Sequence, residues 1–261
     1  MATLAPTTTF VEIGDISIEV ERRGSGPPLL LLYGEEAREP AASFVDELAS
    51  RYEVIVPSPP GFGRSNRPTW ITEPDDMAYL FLDVLDRLGV RDVTVLGFSL
   101  GGWIAAEMAT KNDTRFAKLV LVDPYGIKVG GPTDRDIADI YLLHPDEVMK
   151  RKWSDPENGK RDYLAMSEEA LTIIARNSES FARFCWEPYM HNPKLKHRLH
   201  RIGVPTLLVW GADDGIVAPS YGEAYTRLIP GAKLIVIPSA GHLPHLEQPE
   251  TFMNHLRDFL A

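Results

Sequence analysis

Short apolar runs alternate along the chain with segments of helical periodicity. The first four runs contain almost no polar residue, and they lie at 29–33, 54–56, 93–96 and 119–122. Strands of this kind are buried on both faces, as in parallel sheets that are covered by helices. We therefore predict a parallel sheet, preceded by an antiparallel hairpin whose two strands join at Gly14-Asp15.

Helical periodicity is clearest between residues 75 and 88. Apolar residues spaced three or one positions apart form one stripe there: Met77, Leu80, Phe81, Val84, Leu85 and Leu88. Gly89 is a typical residue to end that helix. Further helices are predicted near 40–50, 100–110 and 220–229, and after Pro249.

The alternation of strands and helices stops after Asp123 and resumes with two apolar runs at 206–210 and 234–237. The intervening segment has helical patches, but no convincing strand, at 134–143, 146–152 and 168–186. The pattern predicts one α/β domain with a doubly wound, mostly parallel sheet of about eight strands. Its core is expected to comprise residues 1–123 and 204–261, with a helical cap inserted at 124–203.

Composition narrows the classes of function. The chain has 261 residues, of which 44% are hydrophobic, so it can build one large core. A net charge of −10 repels a phosphate backbone, and we expect no nucleic-acid partner. No apolar run approaches the roughly 20 residues that cross a bilayer, and no signal-peptide pattern is visible. We therefore expect a cytoplasmic protein with no membrane partner.

The segment GFSLGG, at 97–102, lies where a predicted strand gives way to a predicted helix. Small residues there could simply allow a tight turn. Alternatively, the turn could hold the Ser99 hydroxyl at the carboxyl edge of the sheet, as a nucleophile. The strand before it and the helix after it favour the second interpretation. The Leu100 amide would then open the helix and could stabilise an oxyanion.

A serine nucleophile needs a base, which a carboxylate orients. Of the seven histidines, His242 follows Ala240-Gly241 in the loop after the apolar run at 234–237 and should lie at the carboxyl edge of the sheet, whereas His245 is expected to line or pack that loop. Acids that follow predicted strands are Asp123, Asp213 and Asp214. Asp214 is favoured as the acid, and the other two remain open alternatives.

Six motifs occur in order along the chain: LLLLYG (29–34), PSPPGFGRS (57–65), GFSLGGW (97–103), LVLVDP (119–124), WGADDGIVAP (210–219) and GHLPHLEQPE (241–250). Through them the chain resembles the α/β-hydrolase superfamily, in its small capped esterase-like branch. The resemblance implies the corresponding fold, a helical cap for the insertion, and a Ser-His-Asp triad. The family's G-x-x-D pattern places the acid on Asp214.

One motif departs from the family. Its members usually carry His-Gly after the third strand, whereas this chain has Tyr33-Gly34. The resemblance implies that the amide of Glu35 is the second oxyanion donor. A backbone donor survives a change of side chain, although the carboxylates of Glu35 and Glu36 would oppose a negative charge if they pointed inward.

The expected function is a serine hydrolase that cleaves a carboxylic ester of a small or medium hydrophobic substrate through an acyl-enzyme. Two alternatives remain: a C–C bond hydrolase of a diketone-type substrate, and a small-molecule receptor with low turnover. Leu243 stands where C–C hydrolases commonly carry tryptophan, so the C–C hydrolase is less favoured than the esterase. We expect no metal and no organic cofactor, because the triad mechanism requires neither. The nucleotide-binding motifs GxGxxG and GxxxxGK(S/T) are absent from the sequence, so a nucleotide cofactor has no support. The sequence leaves the oligomeric state open and permits a homodimer.

The candidates for the substrate pocket are mostly aromatic. Arg183 joins them because a cap arginine could bind a substrate carboxylate, and any of the aromatic residues could instead anchor the cap to the core. The full set is Tyr33, Phe98, Trp153, Phe181, Arg183, Phe184, Trp186, Tyr189 and Leu243.

Overall fold

A computed structural model of the protein describes residues 5–34 and 42–261. Within these residues one sheet of eight strands forms the centre of the fold. In chain order the strands are β1 (Thr7–Ile13), β2 (Ile16–Arg23), β3 (Pro28–Leu32), β4 (Glu53–Pro57), β5 (Val93–Phe98), β6 (Phe116–Val122), β7 (Thr206–Gly211) and β8 (Lys233–Ile237).

The strands lie side by side in the order β1-β2-β4-β3-β5-β6-β7-β8. Strand β2 pairs antiparallel with both β1 and β4, and every other neighbouring pair is parallel. The first hairpin turns at Gly14-Asp15, where Ile13 is paired with Ile16. The predicted α/β fold with a mostly parallel sheet is thereby confirmed.

Helices cover both faces of the sheet: α1 (Ala42–Ala49), α2 (Pro74–Leu88), α3 (Leu100–Lys111), α4 (Pro145–Lys152), α5 (Glu168–Cys185), α6 (Pro219–Leu228), α7 (Pro244–Glu247) and α8 (Pro249–Leu260). The predicted apolar stripe of α2 is buried except at Leu88, which is half-buried. Gly89 caps this helix in the left-handed conformation, with φ of 67°. None of the helices in the described residues is long and apolar enough to cross a bilayer.

The side chains of β3 alternate between two hydrophobic cores, one on each face of the sheet. Leu30 packs in the core that contains Phe81 of α2. Leu31 packs in the core that contains Phe44 of α1 and Phe252 of α8. Because both faces are covered, the strand has no position that favours a polar residue, which explains the uninterrupted apolar run in its sequence.

Between β6 and β7 the chain forms α4, α5 and several short turns instead of strands. The predicted helix at 134–143 is wrong, since this segment forms turns and bends. Its aspartates bind nearby backbone amides. Asp136 accepts from two amides that precede the segment, and Asp139 accepts from the amides of Tyr141 and Leu142, which a helix would use for its own hydrogen bonds. Short polar side chains commonly compete with helix formation in this way.

The sheet brings four distant segments to one edge. The parallel strands β5, β6, β7 and β8 end side by side, and the loops after them carry Ser99, Asp123, Asp214 and His242. This is the edge at which open α/β sheets bind ligands. The assignment of 124–203 as a separate cap stays a prediction.

Replacing Phe81 with alanine should lower the free energy of unfolding by about 3–5 kcal/mol, because the ring is fully buried and its removal leaves a cavity. Urea denaturation would measure the change. Tyr79→Ala is the matched control, since this aromatic residue of the same helix is 58% exposed, and its loss should cost about 1 kcal/mol or less. Equal losses in the two variants would contradict the assignment of α2's buried face.

Candidate active site

Ser99 lies in a tight turn that joins β5 to α3. Its φ of 48° and ψ of −113° are strained for a residue with a side chain, so the surroundings must hold the turn. The Ser99 amide donates to the carbonyl of Val122 at 2.9 Å, and its own carbonyl accepts from the Trp103 amide at 3.0 Å. A Cβ atom at Gly101 would lie 2.1 Å from the carbonyl oxygen of Leu32, so the turn requires glycine there.

Three buried side chains form a hydrogen-bonded series at this turn. Ser99 Oγ lies 2.6 Å from His242 Nε2, and His242 Nδ1 lies 2.7 Å from Asp214 Oδ2. The other carboxylate oxygen of Asp214 accepts from the amides of Ile216 and Val217, which fixes the orientation of the carboxylate. The contact with Asp214 favours a proton on Nδ1, so Nε2 is left to accept the serine proton.

The end of α4 holds the loops that carry the acid and the imidazole. The His242 amide donates to the carbonyl of Lys152 at 2.7 Å, and the Gly215 amide donates to the carbonyl of Arg151 at 2.8 Å. Two consecutive carbonyls of the helical segment therefore bind both loops. This contact was not predicted, because it uses backbone atoms and leaves no pattern of side chains in the sequence.

Glu247 strengthens the same junction. Its carboxylate accepts hydrogen bonds from the amide of Gly241, beside the histidine, and from the amides of Ser154 and Asp155, just after α4. The hydroxyl of Ser154 in turn donates to Asp213 at 2.7 Å. Asp213, an open alternative for the acid, therefore points to this junction and not to His242.

Asp123, the other alternative acid, is fully buried beside Asp214. Its Oδ1 accepts from the Gly211 amide at 3.1 Å, whereas Oδ2 accepts from no donor group among the described residues. Burial, and next the negative charge of Asp214, raise the pKa of Asp123 well above its usual range. Asp123 is therefore the carboxyl that favours the neutral, protonated form.

Asp123, Asp214 and His242 also lie close enough together to suggest a metal site, since one donor atom from each falls within 4.8 Å of the others. However, two ligands of a tetrahedral zinc ion are about 3.3 Å apart. The distance of 2.7 Å between His242 and Asp214 is that of a direct hydrogen bond. The geometry therefore favours a hydrogen-bonded series at this position.

Of the two predicted oxyanion donors, the Leu100 amide begins α3 directly after the serine. The first amides of a helix have no acceptor within the helix, so this one can bind a negative oxygen. The second predicted donor, the Glu35 amide, and the neighbouring Glu36 lie outside the described residues.

The sequence patterns did not identify Tyr125 as a candidate site residue, although it follows β6 at the same edge of the sheet. Its hydroxyl lies 3.0 Å from His242 Nε2, the nitrogen that Ser99 also contacts. The two rings are nearly parallel, at 14°, with centroids 5.3 Å apart. The Tyr225 hydroxyl donates to the Tyr125 carbonyl at 2.7 Å and fixes this segment. Only the position of Tyr125 after a strand could have pointed to it.

Some of the predicted pocket residues lie near the serine and others in the core. The Phe181 ring is 6.3 Å from the Tyr125 ring, which places it next to the imidazole. Tyr33 and Phe98 stack on each other at 6.0 Å, and Phe98 packs against His245 at 4.2 Å. The expected packing role of His245 is confirmed. Three further candidates are buried: Trp153, Phe184 and Leu243.

The remaining pocket candidates lie elsewhere. Trp186 and Tyr189 line a surface cavity of about 440 Å³, whose lining among the described residues does not include the serine, the acid or the histidine of the series. The side chain of Arg183 is 62% exposed and pairs with Glu179 on its own helix, so it is held away from the interior. The use of any of these residues by a substrate stays a prediction.

Sequence comparisons identify a family and several relatives. A profile described as "Alpha/beta hydrolase family" matches residues 33–254. A 2-hydroxy-6-oxononadienedioate/2-hydroxy-6-oxononatrienedioate hydrolase of Paraburkholderia phymatum is 30% identical, over 99% of this chain and 97% of the relative. A pimeloyl-(acyl-carrier protein) methyl ester esterase of Nitrosomonas europaea is 27% identical, over 91% of this chain and 97% of the relative.

Solved structures share the fold. Naproxen esterase (carboxylesterase NP) from Bacillus subtilis superposes with a TM-score of 0.79 at 18% identity, covering 98% of this chain and 92% of that one. A meta-cleavage product hydrolase from Pseudomonas fluorescens superposes with a TM-score of 0.78 at 20% identity, covering 97% of both chains. The same fold therefore occurs in a protein named as an esterase and in one named as a meta-cleavage product hydrolase.

Asp123→Asn should become more stable relative to the unchanged protein as pH rises from about 4. A carboxyl whose pKa is raised by folding binds its proton more tightly in the folded chain, so its contribution to stability is lost as pH rises toward the folded pKa. Asparagine mimics the protonated carboxyl and does not titrate. Urea denaturation at pH 4, 6 and 8 would measure the difference.

Asp213→Asn makes the same chemical change at an exposed carboxyl and reports the part of the effect that does not arise from burial. A difference between Asp123→Asn and the unchanged protein that stays constant over this pH range would contradict a protonated Asp123.

Proposed function

The chain belongs to the alpha/beta hydrolase family, and on that premise we propose that it is a serine hydrolase of carboxylic esters with small or medium hydrophobic groups. The observation that carries the proposal is the hydrogen-bonded series from Ser99 through His242 to Asp214. A hydroxyl, an imidazole and a carboxylate in this order can generate a nucleophile without any other group.

In the proposed mechanism, Ser99 Oγ attacks the ester carbonyl while its proton passes to His242 Nε2. Asp214 holds the imidazole by Nδ1 and stabilises its positive charge. The alcohol leaves with a proton, and an acyl-enzyme remains on Ser99. Water then attacks the acyl group with the same histidine as the base, and the free acid is released.

Negative charge develops on the carbonyl oxygen during both attacks. In this proposal the Leu100 amide, at the start of α3, and the Glu35 amide bind this oxygen. One such donor commonly contributes about 3–4 kcal/mol to lowering the barrier. The N-terminal end of α3 adds a favourable electrostatic field at the same point.

Two observations support ester hydrolysis over cleavage of a carboxylated diketone. Arg183, the cap residue considered for binding a substrate carboxylate, is exposed and paired with Glu179. Leu243 follows His242 where C–C hydrolases commonly carry tryptophan, and it is buried. The relative from P. phymatum, which is named for a dienedioate substrate, keeps C–C hydrolysis as the second candidate.

A receptor with slow turnover could retain the same three residues, so activity has to separate the two classes. Ser99→Ala should lower hydrolysis of p-nitrophenyl butyrate by roughly 10³-fold or more, because no other group in the series can form the acyl-enzyme. Release of p-nitrophenolate measures the rate. Ser50→Ala is the matched control, since this serine lies on the surface at the end of α1 and should leave the rate unchanged.

A serine-directed fluorophosphonate should label the unchanged protein and Ser50→Ala but not Ser99→Ala. Labelling that persists in Ser99→Ala would show that the reactive nucleophile is not Ser99. Ester binding without turnover in the unchanged protein would instead favour the receptor. Faster cleavage of a 2-hydroxy-6-oxo-dienoate than of any ester in a panel of acyl and alcohol chain lengths would favour the C–C hydrolase.

A further inference from the structure

The hydroxyl of Tyr125 approaches the same imidazole nitrogen that receives the serine proton. We propose that Tyr125 is a catalytic residue that relays this proton from His242 to the departing alcohol. The inference rests on the proposed serine hydrolase function and goes beyond it, because the series from Ser99 to Asp214 does not use a tyrosine.

The contact is well defined. Tyr125 Oη lies 3.0 Å from His242 Nε2, against 2.6 Å for Ser99 Oγ. The backbone of Tyr125 is tied to the nucleophile as well, since its amide donates to the Ser99 carbonyl at 3.3 Å. Phe181 packs beside its ring, and the Tyr225 hydroxyl holds its carbonyl. The phenol therefore has little freedom to leave the imidazole.

The two hydroxyls differ in what they can do after the first proton transfer. Before the attack, Nε2 is an acceptor and the Ser99 proton moves to it. After the attack, Nε2 carries that proton, while Ser99 Oγ is bonded to the substrate carbon and has become a poorer acceptor. The Tyr125 oxygen stays within hydrogen-bonding distance and can accept from the imidazolium.

The relay step balances without any further reactant. The proton on His242 Nε2 moves to Tyr125 Oη as the phenol's own proton moves to the leaving oxygen of the ester. The bond between the carbonyl carbon and that oxygen breaks, with its electron pair remaining on the oxygen that is being protonated. Neutral imidazole, neutral phenol, the free alcohol and the acyl-enzyme result.

Burial makes an internal proton donor useful at this position. The exposed fractions of Ser99, Tyr125 and His242 are only 2%, 1% and 1%. Bulk water therefore has little access to the atoms that exchange protons. An alkoxide that left such an environment without a proton would be strongly disfavoured.

The need for the relay depends on the leaving group. An aliphatic alkoxide is a strong base and must be protonated as it leaves, whereas p-nitrophenolate is stable without a proton. General acid catalysis contributes about 10²–10⁴-fold when the proton is required. The inferred role of Tyr125 therefore predicts a substrate class, esters of aliphatic alcohols, whose hydrolysis depends on the phenol.

Tyr125→Phe tests this role with two esters of one acid, ethyl butyrate and p-nitrophenyl butyrate. For both esters kcat/KM reports formation of the same acyl-enzyme. It should fall about 10²-fold or more for the ethyl ester and less than about tenfold for the p-nitrophenyl ester. Tyr221→Phe is the matched control, because it removes a buried hydroxyl that binds the backbone of Ile127, and it should leave the ratio of the two rates unchanged.

Equal losses for the two esters in Tyr125→Phe would overturn the relay and leave only a positioning role. A gain for both esters would also overturn it, since Tyr125 would then be competing with Ser99 for Nε2. If Tyr125→Phe does not fold, tyrosines fluorinated on the ring can replace Tyr125. The ethyl ester rate should then follow the acidity of the phenol while the p-nitrophenyl ester rate does not, and identical responses would overturn the relay.

The same experiments separate this inference from the proposed function. Hydrolysis that persists in Ser99→Ala would contradict the proposed serine hydrolase function. If hydrolysis is lost in Ser99→Ala but the ratio of the two ester rates is unchanged in Tyr125→Phe, only the proposed relay through Tyr125 is contradicted.

Discussion

A buried imidazole needs a partner for each of its nitrogens, and this need sets the requirements on the rest of the site. His242 finds Asp214 on one side and Ser99 on the other, from loops 28 and 143 residues away along the chain. In this chain the parallel strands of the sheet end side by side, and this arrangement brings the distant loops together at one edge. The register of β5, β7 and β8 is therefore a condition for the chemistry as well as for the packing of the core.

The electrostatics of the site depend on two neighbouring buried carboxyls, those of Asp123 and Asp214. Two neighbouring negative charges in a buried space are costly, so one carboxyl must take up a proton more readily. Asp214 receives two backbone amides and the imidazole, whereas Asp123 receives one amide. The backbone thus directs negative charge to the carboxyl that faces His242. The helical segment takes part as well, because the carbonyls of Arg151 and Lys152 bind both loops of the site.

Several features of the chain could be predicted from local patterns. The apolar runs identified the strands, because a strand that is covered on both faces tolerates few polar residues. The glycines around Ser99 identified a tight turn between a strand and a helix. Position after a strand identified His242 and Asp214 as residues of one edge. The predicted helix at 134–143 failed because its aspartates bind nearby amides, and a hydrophobic pattern does not record such competition.

Local residue patterns were sufficient to predict the class of the fold and the edge at which chemistry could occur, since burial and turn geometry act over a few neighbouring residues. The residue pattern left three aspartates as candidates and the family resemblance favoured Asp214, but only the tertiary structure puts a carboxylate in contact with the imidazole. Asp213 and Asp214 are adjacent, yet one turns to Ser154 and the other to His242. It also decided that Tyr125 meets the same nitrogen as the serine. Such contacts depend on distances and directions between loops that are far apart in the chain, and no local pattern encodes them.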